Sequence, residues 1–122
     1  MPRKTSHLDL NNLSAEDMRS VLHQCHEICA ETLQYCLEQG GKHAQPQHLR
    51  MMMDCTEICQ ISENFLTRGS DMLAIVNETC ADICERCAED CERFGDDNQM
   101  RACAEVCRSC ASVCRQPIRR AA

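Results

Sequence analysis

The chain has no tryptophan and only three aromatic residues, Tyr35, Phe65 and Phe94, so large rings cannot fill its interior. It also lacks a surplus of positive charge. Its 13 Lys+Arg stand against 19 Asp+Glu, a formal net charge of -6, which argues against the concentrated basic surface that displaces counterions from nucleic acid. Arg115, Arg119 and Arg120 are too few to reverse that balance and read as a solvated helix end and tail. No stretch approaches the roughly 18 apolar residues of a membrane span, so no membrane partner is expected. The opening MPRKTSHLDLNNLSAED has neither the apolar run of a secretory signal nor a small-residue cleavage site after one. The sequence as written is therefore expected in the cytoplasm, where thiols stay mostly reduced.

Cysteine is what the chain has in excess: 13 of 122 residues, far above ordinary usage. A chain of 13.8 kDa suits one compact domain over residues 1–122, and sulfur must fill part of its core. An odd number of cysteines cannot all pair within one chain, so metal is a better default than disulfide. The cysteines follow a repeated word: CHEIC at 25–29, CTEIC at 55–59, CADIC at 80–84 and CAEVC at 103–107. Successive words start 30, 25 and 23 residues apart, which fits one helix and a short connection per repeat.

The punctuation between the words agrees. Ser14 followed by Glu16 and Asp17 reads as an N-cap with acids in the first turn, and Gly40-Gly41 as a stop, giving a helix over about 14–39. Pro46 opens a second helix over about 46–68, closed by Gly69. Ser70-Asp71 is expected to cap a third over about 71–94, and Asp96-Asp97 to start a fourth over about 97–115, with Pro117 limiting its extension. No segment alternates with period two, so no strand is expected. The fold class is all-α: short connections make an antiparallel up-down-up-down four-helix bundle, with loosely attached termini.

Cysteines at i and i+4 on a helix lie within about 40° of each other, so each word puts two sulfurs on one face. The last two helices extend the word identically, as Cys80, Cys84, Cys87, Cys91 and Cys103, Cys107, Cys110, Cys114. Steps of 4, 3 and 4 keep four sulfurs within roughly 60°, strung over roughly 16 Å of axis. Ile28, Ile58, Ile83 and Val106 flank this stripe, whereas Glu27, Glu57, Asp82 and Glu105 are expected to face water. The first two helices carry the stripe incompletely, as Cys25, Cys29, Thr32, Cys36 and Cys55, Cys59, Ser62, Leu66. In an antiparallel bundle Cys36, Cys55, Cys91 and Cys103 fall near one end, and Met18, Leu66, Leu73 and Cys114 near the other.

Zinc or an iron–sulfur cluster needs discrete sets of about four ligands converging on a point. A line of thiolates instead suits a soft monovalent ion that accepts two or three sulfurs, and Cu(I) fits that description. If each copper took two unshared thiolates, uncompensated negative charge would remain in a low-dielectric core. Sharing each sulfur between two coppers gives multiple Cu(I) ions per chain, roughly one per cysteine and closer to about thirteen than about six. His43, His48, Met51, Met52 and Met100 gather at one end and are candidate intake ligands, since thioethers bind Cu(I) weakly and exchange it readily. His26 sits roughly 100° off the stripe, and His7 and His23 carry little information. Buried cysteine as a plain small hydrophobe, a disulfide-stapled hairpin, a thiol redox protein, a zinc or cadmium thiolate sponge and an interaction module stand as alternatives. Cys84-Glu85-Arg86-Cys87 and Cys107-Arg108-Ser109-Cys110 have the bare redox spacing, though without a βαβ context.

CHEIC, CTEIC, CADICERCAEDC and CAEVCRSCASVC resemble the repeats of the bacterial copper storage proteins, in particular the cytosolic, signal-less kind, over roughly residues 14–115. The resemblance implies a non-enzymatic store of Cu(I) on thiolates inside a four-helix bundle. It also implies a homo-oligomer, commonly a tetramer; copper chaperones are candidate partners, with the copper donor and acceptor left open by the sequence. Carried over residue by residue, metal binding falls on Cys25, Cys29, Cys36, Cys55, Cys59, Cys80, Cys84, Cys87, Cys91, Cys103, Cys107, Cys110 and Cys114. Thr32, Ser62 and Leu66 depart from the pattern and imply a lower capacity than in cysteine-richer cytosolic relatives. The twin-arginine leader of exported relatives is absent from the sequence as written, although the cysteine content resembles theirs more, and a longer precursor stays open.

Overall fold

The computed structural model describes Leu10 and residues 12–119; the remaining terminal residues fall outside the description, and with them most of the expectation of loosely attached termini. Four helices account for most of the described chain: α1 (Ala15–Gln39), α2 (Pro46–Arg68), α3 (Leu73–Glu92) and α4 (Asn98–Cys114). Each has a local reason to begin where it does. Ser14 caps α1 reciprocally, its hydroxyl accepting from the Asp17 N–H while the Asp17 carboxylate accepts from the Ser14 N–H. Pro46 occupies the first turn of α2, where its missing N–H is harmless, and the left-handed Gly69 (φ 67°) ends that helix. Asp97 caps α4 by accepting from the Met100 N–H at 3.1 Å.

Between α2 and α3 the chain departs from expectation. Ser70 and Asp71 do not cap α3 directly. The Ser70 hydroxyl accepts from the Met72 N–H and the Ser70 carbonyl from the Leu73 N–H, so the residues form a tight turn that delays α3 to Leu73. The other end of α3 stops at Glu92 because the N–H groups of Arg93, Phe94 and Gly95 reach back only three residues, tightening the last turn before Gly95 takes a φ of 62°. The expectation of no strands is corrected by one short element. Leu13–Ser14 (β1) pairs in parallel with Ile118–Arg119 (β2), two residues each. Two residues are too few for an alternating pattern, so nothing in the sequence marks them.

The helices stand in a square, α1 beside α2 and α4, and α3 beside α2 and α4. Side-chain pairs fix their directions. Along α1 and α2, Arg19 meets Thr67, Cys29 meets Cys55 and Cys36 meets His48, a descending series that only antiparallel helices give. Glu92 with Arg108 and Glu85 with Arg115 show the same for α3 and α4. The architecture is the antiparallel up-down-up-down bundle.

The core has two parts. At the end where the strands pair, aliphatic residues dominate: Leu13, Met18, Val21, Leu22, Leu66, Leu73 and Val113 are buried. From there to the opposite end the interior is lined by cysteine, with Ala81, Ala88, Ala104 and Ala111 allowing close helix approach. Ile28, Ile58, Ile83 and Val106 are half-buried between helices, and Glu27, Glu57, Asp82 and Glu105 are exposed. The aliphatic end gives the chain a metal-independent reason to fold. Truncating fully buried Leu22 to alanine should therefore lower the unfolding free energy of the reduced, metal-free protein by about 2–5 kcal/mol in a urea titration. The same change at exposed Leu37 should cost less than about 0.5 kcal/mol.

Candidate metal centre

All thirteen cysteines are buried, free thiols, and all lie on the inner faces of the four helices. This follows from the 4-3-4 spacing: each step returns the side chain to one face, and the square arrangement turns all four faces inward. The sulfurs form a nearly continuous column. Cys29 Sγ lies 3.6 Å from both Cys55 and Cys107 and 3.9 Å from Cys103. Cys25 reaches Cys107 at 3.9 Å, Cys55 reaches Cys84 at 3.8 Å, and Cys59 reaches Cys84 and Cys80 at 3.7 and 3.9 Å. Cys110 and Cys114 continue the column toward the aliphatic end, 4.0 Å apart.

Helical spacing alone suggests a line of ligands, but the packed helices produce convergent groups as well. Three sets of four sulfurs lie mutually within 4.8 Å: Cys25, Cys29, Cys55, Cys107; then Cys25, Cys55, Cys59, Cys84; then Cys59, Cys80, Cys84, Cys110. Adjacent sets share members, Cys25 and Cys55 in one case and Cys59 and Cys84 in the other. Shared ligands distinguish this arrangement from separate tetrahedral sites, each of which would own its four sulfurs. An ion held by one set would share ligands with an ion held by the next.

The interior offers little else. The only buried polar side chains among the described residues are Thr32, His48, Ser62 and Asn77. No lysine or arginine is buried with the sulfurs. Thr32 and Ser62, which stand where the pattern expects cysteine, point into the core: Thr32 Oγ1 accepts from Gln99 Nε2 at 2.9 Å, and Ser62 Oγ has no partner among the described residues. Leu66 is also buried and belongs to the aliphatic end.

At the end of the column formed by the C-terminus of α1, soft and nitrogen donors join the thiols. His48 Nε2 lies 3.2 Å from Cys36 Sγ, and Met100 Sδ lies 3.6 Å from the same sulfur. Met52 Sδ is 3.6 Å from both Cys87 and Cys91. Three of the five candidate intake ligands, His48, Met52 and Met100, thus touch the column. The other two do not. His43 is held between the Asp97 carboxylate at 2.9 Å and the rings of Phe94 and Tyr35, and Met51 lies half-buried between α2 and α3, beside Arg86 and Glu89. Cys55, expected near this end, sits a turn deeper, because Met52 and His48 occupy the end positions of α2. His26 is off the column, bonded to the Thr56 carbonyl oxygen at 3.0 Å.

Asp90 completes this end and was not singled out from the sequence. Its Oδ2 lies 2.5 Å from His48 Nδ1, and its Oδ1 accepts from Arg93 Nε and Nη2 at 2.9 and 2.6 Å. The carboxylate orients the imidazole so that Nε2 faces Cys36. Nothing in CAEDC separates this inward acid from its exposed neighbour Glu89 except their angular positions, and the pairing requires α2 beside α3. Asp97 anchors the same end. Partial burial acts against its charge, but bonds from Tyr35, the Met100 N–H and His43 hold its carboxyl below the usual range.

Comparison with known proteins agrees with the geometry. No curated protein matches the chain. Among solved structures, the Nmul_A1745 protein of Nitrosospira multiformis is 40% identical, with a TM-score of 0.77 over 83% of this chain and 91% of its own. A second, described as Cu(I)-bound copper storage protein BsCsp3, is 29% identical, with a TM-score of 0.78 over 83% of this chain and 94% of its own. The family model described as copper storage protein matches residues 11–119, from before β1 to the end of β2. By that match, and by the cysteine-lined bundle it spans, the chain belongs to the copper storage protein family.

Proposed function

We propose that this protein stores Cu(I) on the thiolates of its bundle core, with the ion as cargo and with Cys25, Cys29, Cys36, Cys55, Cys59, Cys80, Cys84, Cys87, Cys91, Cys103, Cys107, Cys110 and Cys114 as its ligands. The observation that carries this reading is the set of overlapping four-sulfur groups in an interior that, among the described residues, contains no lysine or arginine. Thiolates packed at 3.6–4.0 Å repel one another unless positive charge stands between them, and here only protons or bound metal can supply it. Without metal, burial favours the protonated form of each thiol, against which hydrogen bonds from neighbouring sulfurs lower Cys55, Cys80 and Cys103. Burial, with the Cys103 thiol and the Asp97 carboxylate adding repulsion, pushes the Cys36 thiol up to about 11. Hydrogen bonds shared with Cys103, Cys25, Cys29 and Cys55, with burial added, push Cys107 well up.

Cu(I) replaces those protons. It is soft, accepts two or three sulfurs, and carries one charge, so about one ion per cysteine with each thiolate bridging two coppers leaves the column near neutrality. Divalent ions in the three overlapping sets would engage Cys25, Cys29, Cys55, Cys59, Cys80, Cys84, Cys107 and Cys110 and leave the other sulfurs unused, whereas a two- or three-coordinate monovalent ion can use the whole column, which favours Cu(I) over a zinc or cadmium sponge. Buried thiols also disfavour thiol redox exchange with large partners: Cys84, Cys87, Cys107 and Cys110 of the two Cys-x-x-Cys pairs have no exposed surface. His48, Met52 and Met100 are placed to receive copper before it reaches the thiols, with Asp90 holding His48. A non-catalytic role in the cytoplasm, a homotetrameric assembly and delivery by copper chaperones belong to the same proposal and rest on resemblance to the cytosolic members of the family. No helix among the described residues is long and apolar enough to cross a membrane.

Anaerobic titration of reduced protein with Cu(I) against a competing chelator should reach about one copper per cysteine, on the order of ten or more per chain, with helicity unchanged by circular dichroism. Saturation at one or two ions would reject the store in favour of a discrete site. A pH series gives an independent check. Cys36 is raised in the folded protein from an ordinary thiol value of 9.0 to about 11, so its contribution to metal-free stability is present below the ordinary value and is lost as pH rises through about 11. Urea stability of the metal-free protein should fall across that window, whereas the copper-loaded protein, whose thiols have already lost their protons, should not follow it.

A further inference from the structure

The end of the column opposite His48 also approaches the surface. Cys114 is the most exposed of the thirteen cysteines at 5%, against 0–1% for the others. It lines an open groove of about 720 Å³ between the start of α3 and the segment after α4, together with Asp71, Leu73, Asn77, Glu78 and Ile118. Such a volume accommodates a small organic molecule. Asn77 is 4% exposed, and its side-chain oxygen has no hydrogen-bond partner among the described residues, although its nitrogen donates to Met18 Sδ at 3.2 Å. A buried amide oxygen without a partner inside a groove marks a place for a donor. The groove is also acidic. Its one cation among the described residues, Arg115, is already engaged by Asp82 and Glu85, whereas Asp71 and Glu78 are exposed and make no ion pair among those residues.

We infer that this groove is a second port of the copper column, through which a small aminothiol withdraws Cu(I) from Cys114. The inference rests on the storage reading. A thiol is required because only another soft donor competes with a cysteine thiolate for Cu(I). An ammonium group fits the Asp71 and Glu78 carboxylates and can donate to the Asn77 oxygen. For a Cu(I) held between Cys110 and Cys114, the sulfur of the incoming thiol bonds to copper and the copper bond to Cys114 breaks. The proton of the incoming thiol passes to the Cys114 sulfur. A second thiol displaces Cys110 in the same way, and copper remains Cu(I) throughout, so no oxidant or reductant takes part. Shared sulfurs in successive sets let deeper ions move outward to refill the vacated position.

The full-length protein, loaded and its copper counted, would be exposed to cysteamine or 3-mercaptopropionate at matched thiolate concentration, with a chromogenic chelator as final acceptor. Cysteamine should release copper roughly threefold faster than the acid, the scale of an exposed charge pair, and the surface double variant Asp71→Asn, Glu78→Gln should abolish the difference. Ala74→Trp, at an exposed position on the groove wall, should slow release to cysteamine by roughly fivefold or more, while Ala30→Trp on the exposed face of α1 should not. Equal rates for the two thiols, or unchanged release from Ala74→Trp with full loading, would overturn the port and leave the store intact. A count of one or two coppers in the unaltered protein would overturn both.

Discussion

The structure depends on how charge is balanced in a column of sulfur. Thirteen thiols converge in an interior with no lysine or arginine among the described residues, at separations where neighbouring thiolates repel strongly. Two states satisfy that constraint: every sulfur protonated, or enough monovalent metal bound to compensate the thiolates. A partly ionised, metal-free column satisfies neither. The protein therefore exchanges protons for copper on the same atoms, and the fold has to keep those atoms in place in both states. Overlapping groups of four serve this purpose, because a sulfur shared between adjacent groups can neutralise, and be neutralised by, two ions.

Holding the column open requires stability from elsewhere. A protonated thiol packs as a small hydrophobe, but thirteen of them leave little bulk, and large rings are nearly absent. The alanines between the cysteines draw the helices together, and the aliphatic group of Leu13, Met18, Val21, Leu22, Leu66, Leu73 and Val113 fixes one end. The pairing of Leu13–Ser14 with Ile118–Arg119 ties the chain just before α1 to the chain just after α4 at that end. The opposite end is fixed by polar contacts: Asp97 with Tyr35 and His43, and Asp90 with His48 and Arg93. A zinc finger gains its fold from the ion. This bundle positions its ligands before any ion arrives.

Much of this was legible in the sequence because cysteine is rare elsewhere and periodic here. The repeated word with its 4-3-4 extension marked the inner face of every helix, and Ser14, Pro46, Gly69 and Asp97 marked boundaries through their own backbone chemistry. What escaped was tertiary. Asp90 and Glu89 are adjacent acids, and only the approach of α2 gives one of them a histidine. Asn77 lies inward on α3, three residues before Cys80, yet a lone asparagine carries no pattern. The α2–α3 turn was misplaced because Ser70 can bond its own neighbours as readily as a helix N-terminus. The convergence of sulfurs into groups of four depends on rotation about all four helix axes, which a single helix's spacing does not specify.

The two ends of the column present different chemistry. At the His48 end, an imidazole and two thioethers are weaker Cu(I) donors than the thiolates behind them, so under the proposed intake role affinity would increase inward and an arriving ion would be drawn down the column. At the Cys114 end the column closes on a thiol, and the thioether there, Met18 Sδ, already accepts from Asn77 Nδ2 at 3.2 Å, which is why the proposed exit calls for an incoming donor as soft as the cysteine it replaces. Spontaneous filling from one end and ligand-dependent emptying at the other are the proposals that this difference supports. Ser62 and Asn77 interrupt the sulfur on that side, so among the described residues the interior beyond Cys114 offers copper an alcohol, an amide, the Met18 thioether already engaged by Asn77, and the aliphatic cap. Hard oxygen donors and alkyl groups hold Cu(I) poorly, which stops the column where the groove begins.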